Sequence, residues 1–269
     1  MTADIQILSA SEKGRQRIRD IKTMMLQGPR SYTLVKIIAE DGLYGIAEAY
    51  GSPGAGVKEQ IEAIKPTLIG RDPLEIDVLY TLMGQNPSPG TGWAGASRTD
   101  GSAHALMRAA SGIEMALWDI KGQAFGAPIW QMLGGKFRDK VRVYNDCHAG
   151  EDETPEAYAR KAVEVEARGF DAIKFDIDPL PSRRDEYNRG IRNDHIQYYV
   201  DVVTAMREAL KPDTDLAIDA HWAYTVVDIL KVAQAFEDLN LLWLEDPIPA
   251  ENIEAMHRVR NSTRTPICT

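Results

Sequence analysis

Residues 215–247 read DLAIDAHWAYTVVDILKVAQAFEDLNLLWLEDP, and the fold turns on how this stretch divides. Two short apolar runs, DLAIDA from Asp215 and LLWLED from Leu241, flank a helical run over Val226–Leu239. LLWL is nearly continuous apolar, as a strand buried on both faces should be. A strand, a crossover helix and a second strand in this length make a βα unit, because parallel neighbours cannot be joined by a tight turn. The same succession repeats outward. Strand-like runs start near Val141 (VRVYNDC), Asp171 (DAIKFDI), Asp215, Leu241 and Thr265 (TPICT), 24 to 44 residues apart. Helical runs lie between them at Thr154–Arg168, Asp194–Leu210, Val226–Leu239 and Glu251–Arg260. On this pattern a doubly wound sheet and a (β/α)8 barrel are both open.

Upstream the pattern changes. Tyr32–Ala39 (YTLVKIIA) and Tyr44–Ala49 flank Asp41-Gly42, the signature of an antiparallel hairpin. Helical spacing follows over Val57–Leu68, where Ile61, Ile64 and Leu68 share a face and Pro66 marks a last turn or a kink, and then around Pro73–Met83. Residues 84–101 are rich in Gly and Pro and read as a loop, and Ser102–Phe125 returns to helix, with Ala105, Ala109, Ile113, Ala116, Leu117 and Ile120 on one broad face. The chain therefore divides into an α+β domain over residues 1–135 and a run of βα units over 136–269.

Composition narrows the function classes. The 269 residues carry 31 Lys and Arg against 40 Asp and Glu, a net charge of −9, and 44% are hydrophobic. That balance suits a globular protein and argues against a nucleic-acid surface, which needs clustered basic residues. Two cysteines, Cys147 and Cys268, fit a reducing, cytoplasmic setting. No apolar run approaches the ~18 residues that a membrane span needs, and charge comes too early for a signal peptide.

Chemistry-bearing residues gather where βα folds assemble their sites, at the C-terminal ends of strands. One strand ends in Ile173-Lys174-Phe175-Asp176, the next in Asp219-Ala220-His221-Trp222, and the next in Leu244-Glu245-Asp246-Pro247. With a side-chain period of two, Lys174 and Asp176 share a face, as do Asp219 and His221. Ionisable groups in such strands pay desolvation unless a partner or metal offsets it. A lone strand-end carboxylate is ordinarily a cap on the next helix, and Lys174 by itself could be an ion-pair partner or a base. Three consecutive ends bearing such groups point to a site, and grouped carboxylates suit a hard cation such as Mg2+.

At this point the chain resembles a known family. Ser111–Gly135 (SGIEMALWDIKGQAFGAPIWQMLGG) is similar to the signature helix and turn of the enolase superfamily, in its mandelate racemase-like branch, and the Asp219-Ala220-His221 and Trp243–Pro247 endings resemble its first two metal-ligand strands. The resemblance implies an α+β capping domain (1–135, including the linking helix) and a modified (β/α)8 TIM-type barrel. Residues 136–269 would supply only its first four βα units and the start of a fifth strand. It implies Asp219 and Glu245 as Mg2+ ligands and a reaction that abstracts the proton α to a carboxylate. Lys174 matches the first lysine of a Lys-x-Lys pattern, while Asp176 replaces the second. His221, two residues after the first ligand, resembles the general acid of acid-sugar dehydratases, and its ordinary pKa suits that task.

The expected function is a Mg2+-dependent hydro-lyase converting a small sugar acid to a 2-keto-3-deoxy acid, with Lys174, His221 and Asp176 as catalytic residues. The expected assembly is a homo-oligomer, without nucleic-acid or membrane partners. Two alternatives stay open: a racemase or epimerase on a carboxylate, and a non-catalytic Mg2+ and carboxylate-binding relative. Arg183, Arg184, Arg189 and Arg192 in the loop 178–194 could clamp an anion or form a solvated or oligomer-contact surface. Gly51–Gly56, Trp93 and Arg98 fall where capping loops reach a barrel mouth, and His148 ends the first barrel strand. An eight-stranded barrel alone takes about 250 residues, so the sequence is expected to be part of a longer protein, with a third metal ligand beyond Thr269.

Overall fold

The computed structural model describes residues 16–28, 30–50, 56–84, 102–177 and 191–269, with only the backbone described at 102–104. The chain forms two compact units, Met1–Asp139 and Lys140–Thr269.

The first unit is an antiparallel sheet backed by helices. Strands β1 (Ile18–Gln27), β2 (Ser31–Ala39) and β3 (Tyr44–Ala49) lie in that order. In β2, Thr33, Val35, Ile37 and Ala39 are buried while the alternate residues are partly exposed, the period of a sheet with one face in a core. Helices α1 (Val57–Leu68), α2 (Ile76–Gly84) and α3 (Ser102–Phe125) cover that face. Pro66 sits in the last turn of α1, which ends two residues later. The core joins Ile21, Val35 and Ile37 of the sheet to Ile61, Leu68, Leu79, Ile113 and Leu117 of the helices.

Helix α3 sits unusually close to β3, and glycine permits it. A Cβ added at Gly112 would lie 2.5 Å from the Ala49 Cβ, and one at Gly45 would lie 1.9 Å from the Ala116 carbonyl oxygen. The helix also closes the free edge of β3. Asp119 Oδ2 accepts from the Ile46 N–H at 2.9 Å, and Gln123 Nε2 donates to the Tyr44 carbonyl at 2.8 Å. An open edge with unpaired backbone groups is thereby satisfied by side chains.

After a one-turn helix, α4 (Ile129–Met132), the second unit begins. Its strands are β4 (Asn145–Asp146), β5 (Ala172–Asp176), β6 (Asp215–Asp219), β7 (Leu244–Glu245) and β8 (Ile267–Cys268), all parallel. Helices α5 (Pro155–Ala167), α6 (Asn193–Ala209), α7 (Val226–Ala235) and α8 (Ile253–Arg260) alternate with them. Strand order follows chain order, β4-β5-β6-β7-β8, with no reversal. A doubly wound sheet would reverse at a switch point, so the unbroken order is that of a barrel wall. Helix starts are fixed locally: Thr154, Thr225 and Asn252 each accept the backbone N–H three residues on, capping α5, α7 and α8.

One strand has no counterpart in the sequence reading, and one local expectation is revised. β1 is not assigned from sequence, and a bulge between Ile18 and Asp20 shifts its register. The strand read from Val141 is paired only at Asn145–Asp146. Val141 and Val143 are exposed, and Arg142 instead reaches Asp171 and Asp215 with its guanidinium. Among the described residues no helix is long and apolar enough to cross a membrane.

Candidate active site

Parallel register places the site. Asp176 pairs with Asp219, Asp219 with Glu245, and Glu245 with Cys268, so these residues stand level on adjacent strands and on one face. One layer lower, Lys174 is in register with Asp146 and Ala217. Three carboxylates thus end three neighbouring strands, above a single buried lysine.

Lys174 is the pivot of the cluster. Its Nζ donates to Asp219 Oδ2 at 2.6 Å and lies 3.6 Å from Glu245 Oε1, and its side chain is 8% exposed. Burial alone would push an ammonium toward its neutral form. The hydrogen bond to Asp219 and the charges of Asp219, Glu245 and Asp146 overcome it and raise the Lys174 pKa above the ordinary range. Asp219 is buried as well, and its second oxygen accepts the His221 backbone N–H at 2.9 Å.

Asp176 belongs to a second part of the site. Its Oδ2 lies 3.0 Å from His148 Nε2 and 3.9 Å from His221 Nδ1, while His221 Nε2 is 3.4 Å from Asp219 Oδ2. Burial works to raise the Asp176 pKa. The His148 hydrogen bond and the charges of His221, His148 and Lys174 outweigh it, holding the group below the usual carboxylate range. Asp176 Oδ1 is buried and, among the described residues, accepts no hydrogen bond.

The loops that carry these groups are held in uncommon conformations. His221, Trp222 and Asp246 have φ of 43°, 55° and 43°, in the left-handed region that few non-glycine residues occupy. The Trp222 N–H donates to the Asp246 carbonyl at 2.8 Å, and the Tyr224 hydroxyl donates to the Ile177 carbonyl. The β6–α7 turn is thus tied to both neighbouring strand ends. Strain of this kind persists only where surrounding contacts over-determine it.

The donor set fits a hard divalent cation. Asp219, Glu245 and Asp246 each offer a carboxylate oxygen, and these atoms lie within 4.8 Å of one another. All are the oxygen ligands that Mg2+ prefers. The Lys174 ammonium lodged against two of them shows that Asp219 and Glu245 converge on one positive charge. Asp176, Asp219 and His221 form another such group, as do Asp146, His148 and Asp176.

The structure thus brings Lys174, Asp219, Glu245, Asp176 and His221 together and adds His148 through its contact with Asp176. Trp93, Arg98, Arg183, Arg184 and Arg189 lie outside the described residues. Arg192 forms a two-pronged pair with Asp194 at the start of α6, with distances of 3.0 and 2.7 Å. Two neighbours had no role in the sequence reading: Asp246, beside the carboxylates, and Trp243, whose indole N–H donates to Glu245 Oε2 at 2.8 Å. Trp243 stands two residues before Glu245 and so on the same strand face, but a tryptophan in an apolar run reads as core.

Comparisons with known proteins cover most of the chain. Two family models match in succession: mandelate racemase / muconate lactonizing enzyme, N-terminal domain, over residues 15–134, and enolase C-terminal domain-like, over residues 157–269. A D-xylonate dehydratase from Haloferax volcanii is 40% identical over 252 residues, covering 93% of this chain and 58% of that protein. A D-gluconate dehydratase from Thermoproteus tenax is 34% identical, covering 86% of this chain and 43% of that protein. Among solved structures, a mandelate racemase/muconate lactonizing enzyme-like protein from Rubrobacter xylanophilus DSM 9941 superposes with a TM-score of 0.81 at 36% identity, covering 94% of this chain and 66% of that one. The chain spans little more than half the length of the first of these relatives and less than half of the second.

Proposed function

Because the chain belongs to the enolase superfamily, in its mandelate racemase and muconate lactonizing enzyme branch, we propose that it carries the centre of a Mg2+-dependent sugar-acid dehydratase. The observation that supports this most directly is the clustering of Lys174, Asp219, Glu245 and His221 at three consecutive strand ends. The names of its dehydratase relatives point to the same substrate class.

Asp219 and Glu245 would hold the cation, with Asp246 close enough to contribute. Bound Mg2+ supplies positive charge where removal of a proton α to a carboxylate builds up negative charge. Lys174 adds a second cation directed at the same place and anchors the substrate carboxylate. His221 gives a proton to the hydroxyl leaving C3. Its imidazole stands between Asp176 and Asp219, with Nδ1 3.9 Å from one carboxylate and Nε2 3.4 Å from the other. Asp176, held anionic, braces that imidazole from the His148 side. A general base takes the C2 proton, the freed electron pair forms the C2=C3 bond, and the C3 hydroxyl leaves as water with the proton from His221; the enol that remains ketonises to the 2-keto-3-deoxy acid.

The test uses the protein from its complete gene, Mg2+ and a panel of five- and six-carbon aldonates, with 2-keto acid formation and C2 proton exchange in D2O followed by NMR. The expected result is elimination with at least one aldonate. Replacement His221→Asn is expected to lower elimination by 100-fold or more, in line with the ~10²–10⁴ of general-acid catalysis, while C2 exchange persists. Absence of both exchange and elimination across the panel would sink the proposal.

A further inference from the structure

Glu245 has one more side-chain torsion than Asp219, so its carboxylate must be steered if one oxygen is to face a cation. The steering comes from the layer below. The indole N–H of Trp243 donates to Glu245 Oε2 at 2.8 Å, which leaves Oε1 turned toward the cation position, 3.6 Å from Lys174 Nζ. The indole is held in its turn. Tyr144 meets it edge to face, with ring centroids 5.5 Å apart and planes at 75°. The Tyr144 ring also lies 6.0 Å from Lys174 Nζ, within reach of a cation–π attraction. One aromatic pair therefore hydrogen-bonds Glu245 and brings a ring within cation–π range of Lys174.

The pair forms between residues of two strands that are not neighbours. Tyr144 immediately precedes β4 and Trp243 immediately precedes β7, so β5 and β6 stand between them. On the face that carries Lys174 and Asp219, the next residues down those two strands are Ala172 and Ala217. Ala217 is in register with Lys174, and both alanines are buried. The two strands between the rings thus carry only methyl groups at these positions. A branched or longer side chain at either position would fill that space, because interiors have no slack for an added group.

We propose that the Tyr144–Trp243 pair, given room by Ala172 and Ala217, is a positioning device for the divalent cation: it fixes Glu245 with one oxygen presented to the metal. Trp243 is thus a positioning residue, acting through Glu245. The inference rests on the metal site proposed above and on nothing about the substrate.

The test is Mg2+ binding to the full protein without substrate, measured by calorimetry for wild type, Trp243→Phe and Tyr144→Leu. Trp243→Phe keeps a ring but loses the donor, and is expected to weaken binding about 10-fold or more, the usual effect of losing a partner of a metal ligand. Its circular dichroism and thermal midpoint should stay near those of wild type, which a merely structural role would not predict. Tyr144→Leu leaves the donor in place but frees the indole, and should weaken binding by a smaller factor. Because Tyr144 is half-exposed, this variant carries the test should Trp243→Phe fail to fold. Mg2+ affinity within twofold of wild type in the folded variants would overturn the inference. Wild-type protein that binds no Mg2+ would instead remove the metal site itself, so the two failures are distinguishable.

Discussion

Lys174 lies in the run AIKFD, where its neighbours on both sides are apolar and buried. Its contacts explain how a charge is tolerated there, and they also set what its loss would do. Removing one partner of a buried ion pair leaves the other charged and unpaired, which destabilises by about 3 kcal/mol. Lys174→Met is therefore expected to lower the urea midpoint when no divalent cation is present, and Mg2+ should restore much of the loss by returning a positive charge to Asp219 and Glu245. Equal midpoints for variant and wild type without Mg2+ would refute this. The same residue shows why part of the site could be read from sequence. Lys174, Asp219 and Glu245 stand out because ionisable groups in apolar strands demand partners. Trp243 does not, since a tryptophan in LLWL reads as core until its N–H is seen on Glu245. His148 reads in sequence as the end of the first barrel strand, and the fold supplies its partner, Asp176.

Among the elements, α1, α3 and β3 have the bounds their periodicity implies, because each has one clean face toward one core. The barrel-type strands were legible as runs but not in length. β7 and β8 ladder over only two residues each, although LLWLED and TPICT are longer. Pairing depends on the neighbouring strand, and no property of a single run reports that. Connections between elements carry their own chemistry. Glu166, near the end of α5, accepts from the Thr214 hydroxyl at 2.5 Å and the Lys211 backbone N–H at 3.0 Å, joining the helix to the turn that opens β6. The Thr214 hydrogen bond, with the Lys211 N–H, holds its carboxyl below the usual range. A group whose folded pKa is depressed stabilises above its unfolded value of about 4.3, and that stability is lost as pH falls through the folded value. Glu166→Gln should therefore flatten the acid limb of stability below about pH 5, measured as urea midpoint against pH. An acid limb of unchanged slope would count against the role given to Glu166.

At the scale of the molecule, the described residues form two hydrophobic cores, and each draws on its own stretch of chain. One runs from Ile18 to Ile120 and the other from Cys147 to Val259. Gly112→Ala forces a methyl group into Ala49 in the first of them, and overpacking of this kind destabilises by about 1–3 kcal/mol. The expected outcome is faster amide exchange across β1–β3 with protection unchanged in β5 and β6. Uniform loss of protection in both sheets would overturn this expectation. The division between the units was legible in sequence from the switch between antiparallel and βα patterning. The choice of barrel wall over doubly wound sheet was not legible from that patterning, because strand order is a long-range property; only the family resemblance implied it. Cores drawn from separate stretches also have a consequence during synthesis. At about 5–20 residues per second, a ribosome needs on the order of ten seconds to make Lys140–Thr269 after the first unit is complete. Mixed α/β domains fold faster than that, so the antiparallel unit should already be folded while the strands that bear Lys174, Asp219 and Glu245 are still being translated.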